Sequence, residues 1–329
     1  MKPNVILYKK IPDDQLARLQ SHFNLTFFDG INDTNQADFI SALKEADGII
    51  GASCPITTRY LDAAKKLKAA STISVGVDQF SIPEMTERGI YLMHTPGVLT
   101  ETTADTIFTL ILTTARRAVE MAEMVKAGQW TKSIGPEFYG SDVNGKTIGI
   151  LGMGRIGYAV AKRAAAGFGM SVIYYNDSVN EMAERDFNAR RCDLDTLLSD
   201  ADFVCVVLPL SPETEKFIGK EQLHKMKRSA FLIIGSRGKI VDEQSLIDAL
   251  QEGVIRGAGL DVFEKEPLPV TSPLLSLPNV VALPHIGSAT HETRHAMVVC
   301  AVDNLIAALD GDISQNCINP TAGCAARKV

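Results

Sequence analysis

The chain has 329 residues, 46% of them apolar and 22% charged, which is enough for two ordinary cores in a globular protein. Its 39 acidic and 33 basic side chains leave a formal charge of −6, and no basic run offsets it, so a nucleic-acid partner is not expected. No stretch approaches about 18 uninterrupted apolar residues, so no membrane partner is expected either.

From the N-terminus, Met1-Lys2-Pro3-Asn4 leads straight into a short strand pattern, without the apolar run of a signal peptide. Short β-branched runs then alternate with amphipathic segments, the α/β pattern. Strands are predicted at Val5–Tyr8, Leu25–Phe28, Gly48–Gly51, Ala70–Ser74 and Tyr91–Met93. Helical segments around Asp13–His22, Gln36–Lys44, Thr58–Leu67 and Pro83–Arg88 separate them. Thr100 to Lys126, free of Gly and Pro, reads as one or two helices. A second set of about six parallel strands follows at Thr147–Leu151, Val172–Tyr175, Phe203–Leu208, Phe231–Ile234, Gly257–Val262 and Val280–Leu283. Ser288–Asp310 reads as a final helix with no strand beyond it.

The expected fold is therefore α/β, with two doubly wound parallel-sheet domains, the second inserted in the first. Residues 1–99 plus 289–329 form a flavodoxin-like substrate domain, and residues 100–288 a Rossmann cofactor domain. Chain crossings near Thr100 and Ser288 would serve as hinges for closing a cleft. Six scattered cysteines (Cys54, Cys192, Cys205, Cys300, Cys317, Cys324) form no C-x-x-C pair and read as reduced thiols of a cytoplasmic protein.

The most specific signal is Gly152-Met153-Gly154-Arg155-Ile156-Gly157, between a strand and a helix. Gly152 permits the tight turn, Gly154 lets backbone approach a pyrophosphate, and Gly157 lets helix and strand pack closely. The helix N-terminus at Arg155 and Ile156 offers N–H groups to phosphates. About twenty residues further on, Asn176-Asp177 ends the next strand, where a carboxylate accepts from a ribose 2′-hydroxyl and repels a 2′-phosphate. With Asp177 there and no Lys or Arg before Arg185, NAD(H) is expected over NADP(H).

Three later strands end in chemistry-bearing residues: Gly235-Ser236-Arg237-Gly238, Leu260-Asp261-Val262-Phe263-Glu264-Lys265-Glu266-Pro267, and Pro284-His285-Ile286-Gly287. Ligands of open α/β sheets sit at such ends. With the glycine motif, these segments resemble the D-isomer-specific 2-hydroxyacid dehydrogenase family along essentially the whole chain. His94-Thr95-Pro96-Gly97-Val98-Leu99-Thr100-Glu101-Thr102 and His285 to Arg294 look most like bacterial reductases of glyoxylate, hydroxypyruvate and 2-ketoaldonates.

The resemblance implies reduction of a small 2-oxo acid to an (R)-2-hydroxy acid by hydride transfer. Arg237 would hold the substrate's carboxylate and carbonyl oxygens, His285 would donate the proton, and Glu266 would support the imidazole. It further implies that Val75 and Gly76 bind the substrate carboxylate through backbone N–H groups and that Asp261 meets the nicotinamide carboxamide. Leu208, Pro209, Thr214, Gly235, Ser236 and Gly287 would line the cofactor site. Gly235 departs from the asparagine common in relatives, and Asn176 rather than Asp177 aligns with their usual ribose-binding acid. A homodimer joined through cofactor domains is implied, with Gly128–Asp142 and Trp130 in the contact.

Each of these residues also has an ordinary structural reading. An aspartate ending a strand, such as Asp261, often only caps a turn, and His94 is better read as structural than as a ligand. Two readings from other classes compete. His291-Glu292-Thr293-Arg294-His295 matches the zinc-hydrolase spacing, but no His or Glu follows to supply a third ligand. A non-catalytic NAD-sensing module of the corepressor type shares the Arg-Glu-His set, although this chain carries no long disordered tail.

Overall fold

The computed structural model describes residues 2–322; Cys324 and the last residues of the expected substrate domain lie outside them. The chain divides into two compact units. One takes in the chain through Leu99 and again from Ala289, and the other is Thr100–Ser288.

The first unit runs β1 (Asn4–Leu7), α1 (Asp13–His22), β2 (Asn24–Phe27), α2 (Gln36–Leu43), β3 (Gly48–Gly51), α3 (Thr58–Ala63), β4 (Ala69–Thr72), α4 (Ile82–Glu87) and β5 (Tyr91–Met93). Its parallel sheet has the order β2-β1-β3-β4-β5, a doubly wound arrangement. The central strands β3 and β4 are buried throughout, which explains why they read as continuous apolar or small-residue runs.

The second unit opens with α5 (Thr100–Ala115) and α6 (Ala118–Lys126). It continues through β6 (Thr147–Leu151), α7 (Arg155–Lys162), β7 (Ser171–Tyr175), α8 (Glu181–Phe187), β8 (Arg190–Arg191), α9 (Leu194–Asp200) and β9 (Phe203–Val206). After these come α10 (Lys220–Lys225), β10 (Phe231–Ile234), α11 (Glu243–Gln251), β11 (Gly257–Leu260) and β12 (Val280–Ala282). The parallel order β12-β11-β10-β9-β6-β7-β8 is the Rossmann order extended by one strand. The sheet has seven strands among the described residues, not about six. The additional one, β8, is two exposed arginines and carries no apolar signal. Helix α5 buries Thr103, Ala104, Ile107, Phe108, Leu110, Ile111, Thr114 and Ala115, one broad face at helical spacing. It ends where Arg117 enters the left-handed region at φ 52°, a break that no Gly or Pro announces.

The last helix, α12 (His291–Leu309), belongs to the first unit. Met297, Val298, Ala301, Val302 and Leu305 pack with Val5, Leu7, Ile50 and Ala69 of its sheet. The chain then runs antiparallel beside β5 through an isolated bridge between Met93 and Cys317, a pairing not foreseen from the sequence. Asn319 holds it there: its Oδ1 accepts from Leu92 N–H at 2.7 Å, and its Nδ2 donates to Ile90 O at 2.9 Å and Thr86 Oγ1 at 3.0 Å.

Asn319 is only 5% exposed, so Asn319→Ala strands two main-chain groups and costs about 2–3 kcal/mol. Chemical denaturation should show an earlier first transition, and a midpoint equal to that of the wild type would show that the segment carries no stability.

Candidate active site

The glycine turn is held open from several sides. Gly152 has φ 100°, and a Cβ there would press on the backbone of Val207 and Leu208 at 3.0–3.1 Å. A Cβ at Gly157 would overlap the carbonyl oxygen of Gly152, whereas one at Gly154 would enter empty space. Gly154 precedes α7 without any side-chain cap, so the N–H groups of Arg155 and Ile156 lack an intrahelical partner. Two asparagines fix the peptide in the middle of the turn. Asn176 Oδ1 accepts from Met153 N–H at 3.2 Å, and Asn180 Nδ2 donates to Met153 O at 2.8 Å while its Oδ1 caps α8 at Ala183 N–H. A cradle of open backbone N–H groups at a dipole's positive end fits a dinucleotide pyrophosphate.

Asn176 is thereby committed: its Nδ2 also donates to Ser178 O at 3.0 Å, so its amide braces the turn. Asp177 is exposed beside it, and Arg191 from β8 donates to the main-chain oxygens of both residues. Leu208 and Pro209 follow β9 next to the turn. The Thr214 hydroxyl donates to Pro209 O at 2.7 Å and accepts from Ser211 N–H at 2.8 Å, closing that loop on itself.

Further along the same sheet edge, Ser236, Arg237, Glu266 and His285 follow β10, β11 and β12. Neighbouring strands lie about 5 Å apart, so long side chains from these three ends can converge. Gly238 makes the approach close, because a Cβ there would overlap the backbone of Phe263 and Glu264. At Gly235 a side chain would run into Ile107 of α5, which fills the space an asparagine would need. The Ser236 hydroxyl donates to Val206 O at 3.1 Å, and Arg237 Nη1 donates to Ser236 O at 3.0 Å.

Glu266 Oε2 stands 2.7 Å from His285 Nδ1, and its Oε1 accepts from Phe263 N–H at 3.0 Å. Desolvation pushes the Glu266 carboxyl up. The bonds from His285 and Phe263 and the charges of His285 and Arg237 outweigh it, so the net shift is downward. An ionised carboxylate only accepts, so Nδ1 carries the proton and Nε2 is the imidazole nitrogen left for other chemistry.

His285 sits at φ 55°, a conformation that costs a non-glycine residue about 1–3 kcal/mol. The next two peptides hold it there. Ile286 N–H donates to Asp261 Oδ1 at 2.7 Å, and Gly287 N–H donates to Oδ2 at 2.8 Å. Asp261 is 1% exposed, and burial raises its carboxyl despite those bonds. Both of its oxygens are therefore engaged in shaping the histidine loop.

In the first unit, Val75 and Gly76 follow β4. Ser74 Oγ donates to Gly76 O at 2.7 Å, and the His94 ring bonds Val75 O at 3.0 Å. The carbonyls are thus anchored, while the N–H groups of Val75 and Gly76 meet no acceptor among the described residues, an arrangement that suits an anion. His94 serves as a brace for this turn. In the zinc-type pattern, His295 Nε2 instead bonds Asp14 Oδ2 at 3.1 Å. Among the described residues, no three His, Cys, Asp or Glu side chains are grouped to hold an ion.

Residues 108–287 match the D-isomer specific 2-hydroxyacid dehydrogenase, NAD binding domain. The chain belongs to this family. Over 320 residues it is 59% identical to glyoxylate/hydroxypyruvate reductase B of Yersinia enterocolitica, covering 97% of this chain and 98% of that one. A solved protein from Thermus thermophilus superposes with a TM-score of 0.87 at 41% identity, covering 96% and 99% of the two chains. An NADPH-dependent glyoxylate/hydroxypyruvate reductase from Sinorhizobium meliloti, solved with NADP and malonate, gives 0.85 at 31% identity over 98% of each chain. NAD(P) dependence follows for this dehydrogenase, and the glycine cradle fits such a cofactor.

Sequence reading missed Asn180, Arg191 and the bracing work of Asp261. An asparagine one residue before a helix start was a usable signal for Asn180. Arg191, in a polar segment, offered none.

The lowered Glu266 carboxyl has a consequence for acid stability. A carboxyl held below its unfolded value, about 4.3 for glutamate, contributes stability above that value and loses it as the pH falls through the folded one. The stability difference between wild type and Glu266→Gln should therefore be greatest at neutral pH and shrink below about pH 4. A difference that is constant from neutral to acid pH would contradict the lowered Glu266 carboxyl.

Proposed function

We propose that this dehydrogenase reduces small 2-oxo acids to (R)-2-hydroxy acids, with glyoxylate and hydroxypyruvate the leading substrates and 2-ketogluconate-type sugar acids next. The observation that carries the reading is the 2.7 Å Glu266–His285 pair at the sheet edge that also holds Arg237 and the glycine cradle. The names of the relatives point the same way.

Arg237 presents a planar fork that matches the carboxylate and carbonyl oxygens of a 2-oxo acid. In the first unit, the N–H groups of Val75 and Gly76, unpaired among the described residues, would offer donors for a carboxylate, as the family resemblance implies. A reduced nicotinamide, when bound, would supply a hydride, a proton carrying two electrons, to the carbonyl carbon. His285 gives the proton from Nε2 to the carbonyl oxygen, which becomes the hydroxyl, and the ring is left neutral with Nδ1–H still facing Glu266. Glu266 accepts from Nδ1–H and so fixes the tautomer and orientation of the ring throughout. Asp261 acts on this step by holding the loop of His285, and any contact with the carboxamide would come in addition.

For the cofactor, Gly152, Gly154, Gly157 and the N–H groups of Arg155 and Ile156 would hold the phosphates. Leu208, Pro209, Thr214, Gly235, Ser236 and Gly287 would border the remainder. Asp177 would meet the adenosine ribose and favour NADH over NADPH. The protein would work in the cytoplasm, and no helix among the described residues is long and apolar enough to cross a membrane.

His285→Ala should leave NADH binding intact and slow reduction about 10²- to 10⁴-fold. Arg237→Ala should lose at least about a hundredfold in kcat/KM. Steady-state kinetics with a panel of 2-oxo acids and both cofactors provides the check. Turnover by His285→Ala close to that of wild type would remove it as proton donor, and NADH binding without turnover of any 2-oxo acid would favour the NAD-sensing reading.

The second unit supports a homodimer. Helix α6 buries none of its own residues, and Val125, Trp130 and Tyr139 are 51–61% exposed. With Met121, Met124 and Ile134 they line a groove of about 550 Å³. Arg117 orders this region by donating to Glu137 O at 2.6 Å and pairing with Glu120. An ordered apolar patch of this kind suits an interface. Light scattering should give twice the chain mass for wild type and a shift toward single mass for Val125→Asp/Trp130→Ala. A monomeric wild type would contradict the assembly.

A further inference from the structure

Arg191 lies on β8, the two-residue edge strand, opposite Tyr174 of β7. Its guanidinium spans two consecutive carbonyl groups, with Nε donating to Asn176 O at 2.9 Å and Nη2 to Asp177 O at 2.8 Å. A rigid planar fork bound to two successive carbonyls leaves that stretch of backbone little freedom, which a lysine's single rotating ammonium could not achieve. The Asn176 amide is likewise engaged, to Met153 N–H on one side and Ser178 O on the other. The side chain left over at this strand end is the Asp177 carboxylate, exposed and without a hydrogen bond to any described residue.

We propose that Arg191 is a positioning residue for cofactor choice. By clamping the carbonyls of Asn176 and Asp177, it aims the Asp177 carboxylate at the adenosine ribose. There the carboxylate accepts from a 2′-hydroxyl and repels a 2′-phosphate. Arg191 itself, with two donors on main-chain oxygens, acts through Asp177 and does not serve as a phosphate ligand. The inference rests on the NADH reading of this site and adds the residue that enforces it.

Calorimetric titration with ADP-ribose and with its 2′-phosphorylated counterpart isolates the adenosine half of the cofactor without any turnover. Wild type should bind ADP-ribose more tightly. Arg191→Ala should weaken ADP-ribose about tenfold and leave the 2′-phosphorylated probe within about twofold. Arg191→Lys, which keeps the charge without the fork, should fall between. In an Asp177→Ala background, removing Arg191 should no longer change the ratio of affinities, because the effect passes through that carboxylate.

A wild type that favours the 2′-phosphorylated probe would overturn the NADH reading and this inference together. If wild type favours ADP-ribose, two results would overturn the inference alone. One is a ratio unmoved by Arg191→Ala. The other is a loss confined to the 2′-phosphorylated probe, which would make Arg191 a direct phosphate contact.

Discussion

The bond between Glu266 and His285 determines what this sheet edge can do. A carboxylate held in its charged form fixes the proton on Nδ1 and leaves Nε2 as the ring nitrogen without that partner. Everything nearby serves that placement. Phe263 N–H holds the other carboxylate oxygen, Gly238 lets the Arg237 segment lie against the Phe263 backbone, and Asp261 keeps the histidine in a backbone conformation it would not otherwise choose. Without the pair, the imidazole is an exposed side chain on a loop, and the guanidinium beside it is only an anion-binding group.

The second constraint is close approach. Three glycines of this unit stand where backbone meets backbone: Gly152 against Val207 and Leu208, Gly157 against Gly152, Gly238 against Phe263. These contacts bring consecutive strand ends together, so that residues far apart in the chain share one edge. Polar side chains then lock the turns, with Asn176 and Asn180 gripping opposite sides of the Met153 peptide and Thr214 closing the loop after β9.

Much of this was legible in the sequence, for identifiable reasons. Parallel strands buried on both faces read as apolar runs, so Phe203–Val206 and Phe231–Ile234 were plain, and the glycine spacing announced the turn between β6 and α7. Strand ends were overestimated by two residues at Val207-Leu208 and at Asp261-Val262, where an apolar or buried side chain continues past the last ladder bond. Strand β8 was invisible because Arg190 and Arg191 are exposed and polar and bury no apolar side chain against the sheet. The break at Arg117 had no glycine to mark it. Asn319 reached β5 through a side-chain bond between residues more than two hundred positions apart, which no local pattern encodes. Gly235 looked like the loss of an amide, and Ile107 shows that the space belongs to packing between α5 and the loop. Asp261 drew notice as a cofactor contact, and its two bonds to the Ile286 and Gly287 peptides were not foreseeable from residue types.

The proposed catalysis depends on His285 Nε2 and the Arg237 fork meeting substrate. A crystal structure with the nicotinamide cofactor and oxamate, an unreactive stand-in for a 2-oxo acid, tests this most directly. It should place the oxamate carbonyl oxygen within hydrogen-bond reach of His285 Nε2, with the guanidinium of Arg237 on its carboxylate and carbonyl oxygens. Oxamate bound away from both residues, or His285 with Nε2 turned toward Glu266, would contradict this arrangement.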